Sequence, residues 1–183
     1  LAEPISRTLR TEDLPAQRGS IVDRLGRPLA YSRPAPTIVA DPRLISTEQV
    51  PYVVGQLASF LDTDPEVMAR RLTSDSRFVY LERQVDPEMG DAAMALGLPG
   101  VWSYEEPRRE HPNGDCTGLS LLGRVDIDHL GISGLEKIHD QTLTGTPGTR
   151  AVEVSADRSA TIVGGQQVLQ PAVPGEDVAT TLD

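Results

Sequence analysis

Arg18 to Ala30 reads RGSIVDRLGRPLA, and its chemistry is that of a tight hairpin. Ser20, Ile21 and Val22 are a short β-prone run. Asp23, Arg24, Leu25 and Gly26 carry turn chemistry, and Pro28, Leu29, Ala30 and Tyr31 take the chain back. Gly26 can adopt the positive φ that such a reversal often requires, and Asp23 can bond its own backbone two residues on. Arg18, Asp23, Arg24 and Arg27 stand among the apolar residues. The residues alone leave two readings open: a solvated turn with incidental charges, or a charge-assisted clamp.

On either side of the hairpin the pattern is mixed. Residues 1–17 are polar without a strong period and read as an extended, loosely held lead-in. Pro36 to Ile45 reads as a strand ending at Asp41-Pro42, because the residue before proline prefers extended geometry. Three helix starts follow. Ser46 with Gln49 forms a capping box ahead of Val50, Val53, Val54, Leu57 and Leu61. Asp64-Pro65 is a second start, and Asp86-Pro87 a third that leads Met89, Ala92, Ala93 and Leu96 along one face. Phe78 to Val85 and Val101 to His111 are strand candidates, and Gly134 to Thr144 reads as one helix stopped by Gly145. The segment from Thr149 alternates and breaks at Gly164-Gly165, which predicts a hairpin there, and the final VATTLD reads as a strand. Helices and strands mix without a βαβ beat, so the fold class is α+β.

Composition narrows the function classes. The chain has 183 residues and a formal net charge of −10, with no basic run, so a nucleic-acid backbone would repel it. Lys137 is its only lysine. The single cysteine, Cys116, excludes an internal disulfide and a cysteine metal cluster. No apolar run approaches the roughly 20 residues of a membrane helix. The start at Leu1 rather than Met predicts that an anchoring or targeting segment lies ahead of the sequence given. His111, His129 and His139 are scattered, and no G-x-S-x-G elbow accompanies them. Asp126 and Asp128 before His129 lack the ligand number of a calcium or zinc loop, and Glu105-Glu106 reads as a solvated edge. No metal site or cofactor is expected.

The hairpin string resembles the opening signature of the non-catalytic N-terminal module of class B penicillin-binding proteins, R-G-x-I-x-D-R-x-G-x-x-L-A, and fills every fixed position of it. The resemblance continues through FVYLERQVDPEMG (Phe78 to Gly90), GLPGV and EEPRREHPNG, which are similar to the division-specific, septal type. GISGLEKIHDQTLTGTPG (Gly131 to Gly148) fits G-x-x-G-x-E-x-x-x-D-x-x-L-x-G-x-x-G, and PGEDVATTLD resembles the strand leading into the penicillin-binding domain. There are departures. His111 replaces the tyrosine of Y-P-x-G, the stretch Asp115 to Leu122 is longer and less alanine-rich, and His139 stands where an aromatic residue is usual.

The resemblance implies a mixed, elongated pedestal or dimerisation domain over residues 18–183, with 1–17 as a membrane-proximal lead-in and a transpeptidase domain after Asp183. Its motif positions are Arg18, Gly19, Asp23, Arg24, Gly26, Arg109, Pro112, Gly114, Gly131, Gly134, Glu136, Asp140, Gly145 and Gly148, all structural. Arg18, Asp23, Arg24 and Glu136 are expected as clamp members. This chain is not expected to be the enzyme: the residue three before Lys137 is Gly134, not serine, and the Ser-x-Asn and Lys-Thr-Gly elements are absent. The implied role is a scaffold on the outer face of the membrane, in a parent held by one N-terminal helix. Implied partners are the parent's own transpeptidase domain, a SEDS-family glycan polymerase, division proteins, peptidoglycan and a second copy. A self-standing peptidoglycan- or peptide-binding module is the alternative, against which the low aromatic content and single Trp102 weigh. A hydrolase lacks its site chemistry.

Overall fold

The computed structural model describes residues 8–112, 118–154 and 161–182. In chain order the elements are β1 (Thr8–Leu14), β2 (Ile21–Val22), β3 (Pro28–Ala40), a 3-10 turn at Pro42–Leu44, α1 (Val50–Leu57), α2 (Pro65–Leu72), β4 (Val79–Glu82), α3 (Pro87–Ala95), β5 (Val101–Glu110), α4 (Leu119–Leu122), α5 (Gly134–Ile138), α6 (Asp140–Thr144), β6 (Gly148–Val154), β7 (Thr161–Gln170) and β8 (Val178–Ala179). This is an α+β arrangement. It divides into two compact units, a continuous one at Pro34–Arg108 and a discontinuous one made of the described residues up to Arg33 and from Arg109 onward.

In the continuous unit, β3 carries β4 antiparallel, with Val39 opposite Tyr80 and Ala40 opposite Val79, and β5 also pairs with β3. Alternation along β3 sends Ile38 and Ala40 into a core with Leu57, Met68, Leu72 and Leu81. Each of those large side chains contributes roughly 1.5–3 kcal/mol by leaving water. Local chemistry starts the helices. Asp64 accepts from the amides of Glu66 and Val67 at the head of α2, with Pro65 at its first position. The Gln49 side chain reaches back to the Ser46 amide, but regular helix begins only at Val50.

Two expectations for α3 need correction. Asp86 makes no capping bond and instead binds Arg108 at 2.8 Å. The buried face is Gly90 and Ala93, whereas Ala92 and Leu96 are exposed. Gly90 is the cause. A Cβ there would lie 2.6 Å from the Pro36 ring, so only glycine lets the helix rest on β3.

The discontinuous unit is built on the hairpin. Ile21 pairs with Ala30 and Val22 with Pro28, and β8 adds to β2 in parallel. Ile21, Ala30, Leu122 and Leu143 form its buried core, with Leu29, Leu135, Val178 and Leu182 packed against it. A second sheet has the order β1-β6-β7. Residues 8–14 of the expected lead-in are thus a strand, paired with β6 along its whole length. Gly164 and Gly165 lie inside β7, not in a turn, opposite a register shift between Val152 and Val154. Glycine there accommodates a bulge in a continuous strand.

The expected helix Gly134–Thr144 is two short helices, α5 and α6, broken at His139. In a continuous helix the Glu136 carbonyl would accept from the amide of residue 140. Here the Arg18 guanidinium donates to that carbonyl at 3.1 Å, so a side chain takes the helical acceptor. The last strand of the sequence reading shrinks to β8, two residues long.

Glycines separate the roles of space and conformation. Gly55→Ala on α1, where a Cβ meets nothing, should raise stability by roughly 0.5–1 kcal/mol. Gly90→Ala should lower it, and urea melts of both variants read the difference in sign.

Candidate functional site

Among the described residues, buried charge gathers where the hairpin entry, the end of β5 and α5–α6 meet inside the discontinuous unit. Glu136 is fully buried, and Arg18 is 3% exposed. Arg18 Nε donates to Glu136 Oε2 at 2.9 Å, and Nη2 lies 2.8 Å from the same oxygen. Nη1 donates to Asp140 Oδ1 at 2.8 Å, the Thr144 hydroxyl at 2.8 Å and the His129 carbonyl at 3.0 Å. The other carboxylate oxygen of Glu136 receives Arg109, from Nε at 2.8 Å with Nη2 at 2.7 Å. Arg109 Nη1 donates to the Gly19 carbonyl and the Ser32 hydroxyl. Each arginine therefore turns the Nε–Nη2 edge of its guanidinium to one oxygen of the same carboxylate, with a charge-assisted bond from each Nε.

The backbone is shaped to allow this. Gly134 opens α5 at φ +59, and a Cβ on it would sit 2.5 Å from the Gly123 amide nitrogen and the Leu121 carbonyl oxygen. The close approach of α4 and α5 therefore depends on hydrogen at that position. His129, with φ +66, turns its carbonyl toward Arg18. Asp126 stabilises that loop by accepting from the amides of Asp128 and Leu130. The D-I-D-H run thus serves a turn; among the described residues no group of acidic, histidine or cysteine side chains could hold a metal.

Electrostatics agree with the geometry. Burial tends to raise the Asp140 carboxyl, but the Gly131 amide, Arg18 and Thr144 outweigh it and hold Asp140 below the usual carboxylate range. Burial lowers the Arg109 guanidinium, and the Glu136 carboxylate opposes that pull.

The remaining motif positions fall around this cluster. Gly19 is buried and donates its amide to the Leu143 carbonyl. Gly131 donates to Asp140, Gly145 closes α6 at φ +71, and Gly148 begins β6 opposite Leu14. Asp23 accepts from the amides of Leu25 and Arg27 and pairs with the Arg27 side chain. Burial tends to raise its pKa, and those bonds bring it below the ordinary value. Gly26 holds the turn at φ +79. Of the four expected clamp members, Arg18 and Glu136 meet in the buried cluster, whereas Asp23 serves its own turn and Arg24 has an exposed side chain and donates its amide to the Leu182 carbonyl. Pro112 is exposed at the end of β5, and Gly114 lies outside the described residues. Sequence reasoning missed the carbonyls of Gly19 and His129 and the hydroxyls of Ser32 and Thr144. Carbonyls carry no side-chain signal, and neither hydroxyl stands in a distinctive pattern.

The comparisons with known proteins address the same segments. The family model described as "Penicillin-binding Protein dimerisation domain" matches residues 13–180. This chain belongs to that family. The peptidoglycan D,D-transpeptidase FtsI of Escherichia coli K12 is 41% identical over 152 residues, covering 80% of this chain and 26% of the relative. The FtsI of Buchnera aphidicola subsp. Baizongia pistaciae is 32% identical over 183 residues, 97% of this chain and 31% of the relative. This dimerisation domain therefore spans about a quarter to a third of those relatives. Among solved structures, the complex of penicillin-binding protein 2 with MreC from Helicobacter pylori shares the fold. It has a TM-score of 0.69 at 16% identity and covers 96% of this chain and 37% of that one.

Removing one partner from the buried cluster strands the others. Glu136→Ala should cost about 3–5 kcal/mol and lower Tm by on the order of 10 °C, while Glu105→Ala on exposed β5 should stay within about 0.5 kcal/mol. Thermal denaturation followed by circular dichroism checks both. The pH dependence has a definite sign. Asp140 and Asp23 have folded pKa values below their ordinary 3.8, so their contribution is complete well above that pH and is lost as pH falls through the folded values. Asp140→Asn should be less stable at neutral pH yet lose less on acidification, which urea melts from pH 7 down to about 3 would show.

Proposed function

We propose that this domain is the non-catalytic extracytoplasmic scaffold of a division-specific penicillin-binding protein. Its parent would cross-link peptidoglycan peptides through an acyl-serine on a transpeptidase domain following residue 183. The observation that carries this reading is the 41% identity to a peptidoglycan D,D-transpeptidase across 80% of the chain. In this role the domain would be N-terminal and held at the outer face of the membrane by a preceding helix. Among the described residues no helix is long and apolar enough to cross a membrane.

The positioning role has physical support. The strand nearest the next domain, β8, pairs with β2, and Thr180 donates to the Val22 carbonyl through both its amide and its hydroxyl. The amide of Ser20 binds the Asp177 carboxylate at 2.6 Å. The hairpin in turn begins at Arg18, whose side chain is locked into the ion cluster. A chain leaving through β8 would therefore leave from a fixed point, as a scaffold must provide. The clamp residues Arg18, Arg109, Glu136 and Asp140 would serve that stiffness and take no part in chemistry. Partners of this role are a SEDS-family glycan polymerase and other division proteins. The Helicobacter pylori neighbour was solved as a complex with MreC, so a penicillin-binding protein of this fold has a protein partner.

A fluorescent penicillin tests the reading. The purified chain should take up no label and show no acyl increment in intact mass. The product of the whole reading frame that contains it should be labelled on serine and concentrate at midcell. A stoichiometric adduct on this chain, or a full product that takes no label, would overturn the assignment.

A further inference from the structure

The continuous unit carries a feature that the scaffold role does not use. One face of its sheet packs on the helices through Ile38, Ala40 and Leu81. The other face holds four of the chain's seven aromatic residues, Phe78, Tyr80, Trp102 and Tyr104, each 36–42% exposed. They form one cluster. Phe78 meets Tyr80 edge-on at 5.0 Å and Trp102 at 6.2 Å, and the Tyr104 hydroxyl lies 3.2 Å from that of Tyr80. Val39 and Thr37 of the same unit are fully buried. The polar groups beside the rings cancel in charge: Glu106 binds Arg83 at 2.8 Å and accepts from Thr37 and Tyr104. Burial tends to raise the Glu106 carboxyl, and those bonds hold it below the usual range, so the pair stays ionised and mutually neutral near pH 7.

We propose that this aromatic face docks a neutral sugar chain. The area sets the size of the ligand. Four rings at this exposure offer on the order of 300 Å², well short of the roughly 800 Å² that each partner gives to a stable protein interface. The β4 strand is partly occupied on its own account, since Arg71 donates to the carbonyls of Tyr80 and Leu81. Charge sets the class of ligand: the local Arg83–Glu106 pair is neutral within a chain of net charge −10, which favours an uncharged polyhydroxylated partner over an ionic one. Arg83 covers one face of Tyr80, 4.8 Å from its centroid, so pyranose C–H faces would pack on the ring surface left exposed. The Tyr80 hydroxyl can donate to a sugar hydroxyl, and the Tyr104 hydroxyl, which already donates to Glu106, can accept from one. That the natural ligand would be the glycan of peptidoglycan rests on the function proposed above; the binding itself does not.

Trp102 is the only tryptophan, so its emission reports on this face alone. The 183-residue chain is titrated with a hexamer of β-1,4-linked N-acetylglucosamine while tryptophan fluorescence is followed. The expected result is a saturable change with a Kd of about 1 mM. Tyr104→Ala should weaken it about five-fold or more, and Phe78→Ala, which removes no side-chain hydrogen bond, should weaken it as a second variant. Tyr52→Ala, another exposed tyrosine (61%) on α1, should leave it unchanged. Circular dichroism establishes that each variant is folded. No saturable change with folded protein, or equal binding by Tyr104→Ala and Phe78→Ala, would overturn the proposal. So would emission that follows protein concentration and dimer formation in sedimentation, which would assign the face to a second copy. The penicillin result is independent of all these outcomes, so either reading can fail alone.

Discussion

A carboxylate with no access to water, Glu136, sits between two guanidinium groups, and the discontinuous unit depends on that contact. Burying these charges is expensive, and their attraction returns the cost only if every donor and acceptor finds a partner. The arrangement meets that condition except at Arg109 Nη2, which lies 2.7 Å from a Glu136 oxygen but makes no hydrogen bond of its own. Each Glu136 oxygen faces a different arginine. Asp140 supplies a second negative charge to Arg18, and backbone carbonyls of Gly19, His129 and Glu136 take further donors. The net charge of the four side chains is close to zero. Such a cluster adds little stability over a well-packed apolar core, but it punishes any misalignment heavily. Its use here is positional. It fixes residues 18, 109 and 136, far apart in sequence, to one point.

The backbone adapts to the ions rather than the reverse. Arg18 takes the Glu136 carbonyl, and the helix breaks at His139. The break frees Asp140 to begin a second short helix, where its carboxylate accepts from the Gly131 amide as well as from Arg18. A carboxylate in the first turn of a helix is favoured by the helix dipole, and both Glu136 and Asp140 occupy that position. Splitting one helix into two thus places two anions at helix starts where a single helix would place one.

What was legible in the sequence was local chemistry with a direct geometric consequence. Asp23 and Gly26 define the hairpin turn, Asp64-Pro65 opens α2, and the β-branched run through Ile38 and Val39 forms a buried strand. That an arginine of the hairpin would meet Glu136 or Asp23 was legible as well, because fixed charges in separate segments call for each other; that it is Arg18 with Glu136 was not. What was hidden depends on contacts that no local pattern encodes. Strand β1 looks featureless until β6 supplies its ladder. Asp86 has the form of a cap, but Arg108 claims its carboxylate. Gly164-Gly165 has the composition of a turn and the position of a bulge. Arg24 and Arg27 are near neighbours in the hairpin and both exposed, and no local pattern tells that Arg27 is the one that binds Asp23.

Composition misleads in the same way on the aromatic face. At 4% aromatic content the chain reads as a poor candidate for ring stacking. That average assumes the rings are dispersed. Phe78 and Tyr80 lie two apart on one segment, Trp102 and Tyr104 two apart on another, and the two-residue period of a strand sends each pair to a single face. When β4 and β5 both pair with β3, the two pairs come to the same face, and a scarce residue type becomes locally dense. Burial of those rings in a helix-packed core would have served stability better, at roughly 25 cal/mol for each Å² removed from water. They remain partly exposed on the face opposite that core, packed on one another and on Arg83.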